Sequence, residues 1–272
     1  MFRYAFILSL AASATQAWEL NGFEHPESIV LDSAQNVLFV SNIGGNPTEA
    51  DGNGFISRVA PDGTLIDLKW ATGMNAPKGM ALMGDRLIVS DLTQIHVVDA
   101  TSGALLSSHE VAGAQFLNDV TATATRAWIS DMFTGAIYEF DGTAITPFFH
   151  DATLPHPNGL WTDGTDLVVA SWGSDMQADF STKAPGDLLS ITLADKTVSV
   201  IAPAMGNLDG ITKSGDSWIV NDWISGEVFK VTGGTVETLL TAPASTADLT
   251  AGNGVLYLPH MFENRISTVA LD

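Results

Sequence analysis

The stretch LDGITKSGDSWIVND, residues 208–222, carries the repeat from which the architecture is read. A polar residue, Asp209, is followed by a short strand-like run, a turn built on Gly215 and Asp216, and a second run, SWIVND, rich in β-branched and aromatic residues. The same pattern recurs along the chain. Its copies are PESIVLDSAQNVLFVSN (26–42), PKGMALMGDRLIVSD (77–91), LNDVTATATRAWISD (117–131), PNGLWTDGTDLVVAS (157–171) and TADLTAGNGVLYLPH (246–260). The second residue of each copy serves as an anchor: Glu27, Lys78, Asn118, Asn158, Asp209 and Ala247, spaced by 51, 40, 40, 51 and 38 residues. Repeats of about 40–50 residues that each hold several strands are the signature of propeller blades.

A third strand follows each pair: FISRVAP, IHVVDA, AIYEFDG, DLLSITL, EVFKVTG and RISTVAL. A fourth follows in five repeats, as in TLIDLKW, AITPFFH and TVETLLT. The sixth repeat ends after its third strand. The unassigned segment from Trp18 to Phe23 is therefore expected to add the outermost strand of the last blade and close the ring, which removes an exposed sheet edge. The reading is an all-β, six-bladed β-propeller over residues 18–272.

Ahead of it lies MFRYAFILSLAASATQAWEL (1–20). Arg3, an apolar run from Tyr4 to Ala12, and small residues at Ala14 and Ala17 read as a secretory signal peptide over residues 1–17. The run is too short to span a bilayer comfortably, and no second one follows. The expectation is a periplasmic or secreted monomer with no membrane span. The chain has 11 Lys and Arg against 31 Asp and Glu, a net charge of −20, which repels phosphate backbones and excludes nucleic acid as the main partner. It has no Cys, which excludes disulfides, thiolate metal sites and thiol nucleophiles. Neither a nucleophile elbow nor a phosphate-binding loop is found.

The first strand of a blade runs away from one face and the second returns to it, so the anchors and the second-strand ends meet at one mouth of the channel. An inner ring of Glu27, Lys78, Asn118, Asn158, Asp209 and Ala247 is expected inside an outer ring of Asn42, Asp91, Asp131, Ser171, Asp222 and His260. The long links Ile43–Gly54 and Trp172–Gly186 hang over the same mouth, where functional loops collect. Trp172 and Trp223, each directly after a second strand, are candidates to line the pocket for a small-molecule substrate. Four of the inner-ring residues, Glu27, Asn118, Asn158 and Asp209, offer only carboxylate and amide oxygens, a hard-oxygen set suited to one divalent cation, Ca²⁺ foremost, with Mg²⁺, Mn²⁺ or Zn²⁺ as alternatives. Asp131, Asp119 or Asp222 could move a proton. His260 is the best-placed histidine for that task, and His156 could reach the rim. Asn and Asp at strand ends also commonly cap local backbone, the competing structural reading of these rings.

The stretches LNDVTATATRAWISDMFTG, PNGLWTDGTDLVVASW and LDGITKSGDSWIVNDWISGEVFKV, with PESIVLD at the start, resemble the gluconolactonase, regucalcin and luciferin-regenerating-enzyme family of six-bladed propellers. The resemblance implies a lactone hydrolase, sugar lactones included, with one cation held by Glu27, Asn158 and Asp209. It places Asn118 beside the metal as a substrate or metal contact and gives Asp209 a further part in activating water. Lys78 departs from the pattern, because an ammonium opposes a nearby dication. It either pairs with Asp91 or Glu27, binds an anionic substrate, with Asn118 and Trp172 as further substrate contacts, or replaces the metal. The alternative functions are a non-catalytic propeller that binds a small ligand or docks a protein, and an enzyme acting on other esters or phosphate esters.

Overall fold

The computed structural model describes residues 17–151, 154–177 and 179–271. The expected signal peptide falls almost wholly outside these residues. Six four-stranded antiparallel sheets stand around a central channel. Five take their strands in simple chain order from the channel outward. The sixth is completed by the N-terminal segment: Glu19–Asn21 pairs with Arg265–Ala270 as its outermost strand, so the ring closes as the sequence requires.

The closure is tied down at several points. Trp18 accepts the Thr268 N–H at its carbonyl oxygen, donates its own N–H to Thr268 Oγ1 at 2.9 Å, and donates its indole N–H to Pro61 O of the first blade at 3.0 Å. Arg265 forms an ion pair with Glu19 at 3.3 Å. Phe23 is buried in the apolar cluster between the last and first blades, with Ile29, Val40, Tyr257 and Ile266.

Each second strand is covered on both sides by neighbouring blades. Val37–Asn42 is buried at all six positions, which is why it reads as an apolar run instead of alternating. The outermost strands, such as Leu65–Met74, are mostly exposed, apolar residues such as Leu65 and Ile66 included. The innermost strand of the sixth blade is cut to Thr250–Gly252. Ahead of it, Asp248 makes a parallel bridge to Ser28 of the first blade and donates its N–H to Glu27 O at 2.8 Å, so the ring is also closed along the channel wall. No helix among the described residues is long and apolar enough to cross a membrane.

Candidate functional site

The anchors reach the channel because their strands are bulged there. In the first five blades the register between first and second strands slips at the anchor, for example between Leu208 and Ile211, where three steps on the inner strand match two on its partner. A bulge adds local twist and re-aims a side chain. The next residue is often glycine because the neighbouring inner strand passes against it. A Cβ on Gly210 would lie 2.5 Å from Leu249 N, and one on Gly159 would collide with Asp209 O.

The result is a cup of about 210 Å³ at one mouth of the channel. Its floor carries Glu27, Lys78, Asn118, Asn158 and Asp209, all at most 6% exposed. Five of the six inner-ring positions therefore converge as expected; Ala247 contributes no polar group. Asn158 Nδ2 donates to Asp209 Oδ1 at 2.6 Å and to Leu208 O at 3.2 Å. Both partners are acceptors, so the amide nitrogen must face them, and Asn158 Oδ1 is left free. That oxygen, Glu27 Oε2 and Asn118 Oδ1 are buried without any hydrogen-bond donor. Buried acceptors normally have one. Three such oxygens in one floor fit a hard cation. Among the described residues no group of three or more His, Asp, Glu or Cys side chains could hold a metal, so a cation here depends on amide oxygens as well as carboxylates.

The electrostatics of the floor point the same way. Burial, then the charge of Asp209, pushes Glu27 well above the usual carboxylate range, partly offset by Lys78. Burial raises Asp209 to about 7 against the hydrogen bond from Asn158. Asp119 and Asp248 follow Asn118 and Ala247 in the chain, and the Asp119 charge acts on Asp248. Burial raises Asp119 to about 6 and Asp248 well above its ordinary value. Asp248 is absent from the sequence reading; its signal is its place directly after an anchor, matching Asp119. Both line a larger cavity of about 480 Å³ at the opposite mouth of the channel.

Lys78 forms a direct ion pair with neither expected carboxylate. Its ammonium donates to Ala76 O at 3.1 Å and lies 4.5 Å from the centre of the Phe116 ring. Asp91 is instead bonded by His96 and by the N–H groups of Asn75 and Ala76. Burial lowers the Lys78 pKa to about 8, opposed by Glu27 and Asp91.

The outer ring takes the capping role. Asp131 is fully buried and accepts the N–H groups of Gln115 at 2.9 Å and Phe116 at 3.0 Å. Asn42 and Asp222 likewise accept from Glu24 and Asn207, and Ser171 donates to Pro155 O. Each clamps the segment that leads into its own blade. His260 is bonded at both ring nitrogens, to Thr246 Oγ1 and Ser267 Oγ. Burial and then Arg265 push its pKa down to about 4. Neither Asp131 nor His260, both expected to work in the site, lines the cup. His156 is engaged by Met132 O at 2.7 Å and does not line it either.

Above the floor the wall is apolar. The long links supply Ile43 and Pro47 from the first blade and Trp172 and Phe180 from the fourth, as the loop lengths suggest. Met132, Trp223, Met261 and Phe262 complete it. Trp223 bridges Trp172 and Phe262 at centroid distances of 5.9 and 5.7 Å. A sequence signal for this wall exists beyond the two tryptophans. The residue directly after the second strand is large and apolar in all six blades: Ile43, Leu92, Met132, Trp172, Trp223 and Met261.

Neither a protein-family model nor a curated protein sequence matches the chain. Solved structures do. One from a nidogen/laminin complex matches with a TM-score of 0.64 at 12% identity, covering 94% of this chain and 90% of its own. Catalytically inactive virginiamycin B lyase from Staphylococcus aureus with quinupristin matches with a TM-score of 0.60 at 13% identity, covering 94% and 99%. A streptogramin B lyase gives 0.60 at 12% identity, covering 96% and 100%. At this identity the matches show a shared fold: the chain is a six-bladed β-propeller whose polar channel floor and apolar cup meet at one mouth.

Proposed function

We propose that the cup is the active site of a divalent-cation-dependent hydrolase of lactones or related carboxylic esters, acting in the periplasm or outside the cell. The observation that carries this reading is the set of three buried oxygens, on Glu27, Asn118 and Asn158, that lack donors in the floor of a ligand-sized cup. Glu27, Asn158 and Asp209 would hold the cation, with Asn118 beside it. A cation so held supplies a Lewis acid for a carbonyl and lowers the pKa of water.

The side chains divide the remaining work. Asp209 keeps Oδ1 on the Asn158 amide, which fixes the carboxylate and leaves Oδ2 to take the proton of the attacking water. The Asn118 amide donates only to Met132 Sδ at 3.8 Å, a weak bond that a substrate oxygen can replace. Lys78 brings positive charge to a floor where negative charge develops on the carbonyl oxygen. The wall excludes bulk water and strengthens each of these interactions.

A second reading is a ligand-binding propeller without catalysis. It is favoured by Lys78, whose buried ammonium opposes a dication. The two readings part in one experiment. The chelator-stripped protein is titrated with Ca²⁺ and with Mn²⁺ by calorimetry and then given a lactone and ester panel, alongside Asp209→Ala. One-site binding and metal-dependent turnover, both lost in the variant, support the hydrolase. Ligand binding without metal binding or turnover moves the assignment to the second reading.

A further inference from the structure

We infer that the substrate of the cup is a small, neutral lactone or ester bearing an alkyl or aryl group, and not a polyhydroxylated sugar lactone. This rests on the hydrolase reading for its chemistry, and on the wall for its specificity.

The wall is a built feature. The same repeat position gives a large apolar residue in all six blades, and five of these residues line the cup. Aromatic rings from other segments extend it. Phe116 stacks on Phe133 at 4.4 Å, Phe133 meets Phe180 at 6.0 Å, and Phe262 stands 62% exposed at the lip. Little polar capacity remains above the floor. The Trp172 indole N–H already donates to Phe180 O at 2.8 Å. A sugar lactone would set several hydroxyls against Trp, Phe and Met side chains, and each unpaired hydroxyl lowers affinity roughly tenfold. An alkyl or aryl group gains from the same surface.

Size and charge narrow the class. At about 210 Å³ the cup is smaller than the ~300–1,000 Å³ of drug-sized sites, so it takes one ring or a short chain. The wall, where the acyl group lies, carries no cationic side chain among the cup's lining residues, and Lys78 in the floor is held by Ala76 O and the Phe116 ring, which disfavours an anionic acyl group. The carbonyl sits toward the oxygen floor and the apolar part against the wall. Water adds to the carbonyl carbon, the ring C–O bond breaks, and the proton taken from water passes to the leaving oxygen. The product is a hydroxy acid; for an open-chain ester the acyl C–O bond breaks instead, and the products are a carboxylic acid and an alcohol that receives the proton.

The test compares kcat/KM for γ-nonalactone and dihydrocoumarin with that for glucono-δ-lactone, using the full mature chain with Ca²⁺. The expected preference for the apolar substrates is about 100-fold or more. In Phe262→Ser, KM for γ-nonalactone should rise about fivefold with kcat within about twofold, since only uniform binding at the lip is lost. Equal or better turnover of glucono-δ-lactone, or an unchanged KM in Phe262→Ser, overturns the inference and leaves the hydrolase reading standing. If neither class is turned over, the hydrolase reading fails and calorimetric binding decides the ligand class. Tighter binding of γ-nonalactone upholds the apolar ligand, and binding no tighter than that of glucono-δ-lactone overturns it.

Discussion

Asn158 and Asp209 join across the interface of the fourth and fifth blades by a 2.6 Å hydrogen bond, 51 residues apart in the chain. The bond assigns the Asn158 amide nitrogen to the carboxylate and leaves its oxygen without a donor. Two neighbouring blades thus orient one acceptor for a ligand, at the expense of a buried carboxylate that burial disfavours.

Replacing that carboxylate should separate stability from function. In Asp209→Asn the buried charge is gone, so Tm in chelator is expected to rise by a few degrees over wild type. Added Ca²⁺ should raise the Tm of wild type but not of the variant, because binding to the native state stabilises it. Thermal melts of both proteins with and without Ca²⁺ check this. A variant stabilised by Ca²⁺ as strongly as wild type contradicts the ligand assignment.

The outer ring gives the opposite expectation. Asp131→Ala strands the N–H groups of Gln115 and Phe116, and the loss is expected to be about 2–3 kcal/mol in denaturant unfolding. The kcat of the folded fraction should stay within about twofold of wild type. A drop of a hundredfold or more would return Asp131 to the chemistry.

Ring closure predicts a large effect from a few residues. Removing residues 18–23 deletes the outermost strand of the last blade and the burial of Phe23. The expected cost is about 5 kcal/mol, or a Tm lower by roughly 10–20 °C. A melting point within error of wild type is the outcome that rejects closure as a stabilising element.

His260 makes a pH prediction. Its pKa is about 4 in the fold and near 6.5 in the unfolded chain. Between these values the unfolded chain binds more protons. The stability due to neutral His260 is therefore fully present above about pH 6.5 and is lost as pH falls toward 4, approaching ~3 kcal/mol. His260→Gln cannot titrate, so the stability gap between wild type and variant should narrow from about pH 7 to pH 4.5 in urea unfolding. A gap constant over that range contradicts burial of a neutral imidazole.

Much of the fold was legible because repeats are written in local chemistry. Runs such as Val37–Asn42 and Ser217–Asp222 are strands on propensity alone, and their spacing counts the blades. Even the closure by Trp18–Phe23 follows from counting strands. The anchors Glu27, Lys78, Asn118, Asn158 and Asp209 could be named as one set for the same reason.

What the sequence determined by itself, then, was the number of blades, the face they share and the residues gathered there, since these depend on period and strand direction. Only the tertiary structure divided their roles. Bulges turn the inner anchors into the channel, while Asp131 and His260, equally polar and equally periodic, are claimed by backbone N–H groups and hydroxyls of the entry segments and the neighbouring strand of their own blades. The apolar wall likewise became visible when residues from separate blades met around one cup. A side chain's chemistry depends on which groups compete for its hydrogen bonds and on how much water it keeps, and packing within and between blades sets both.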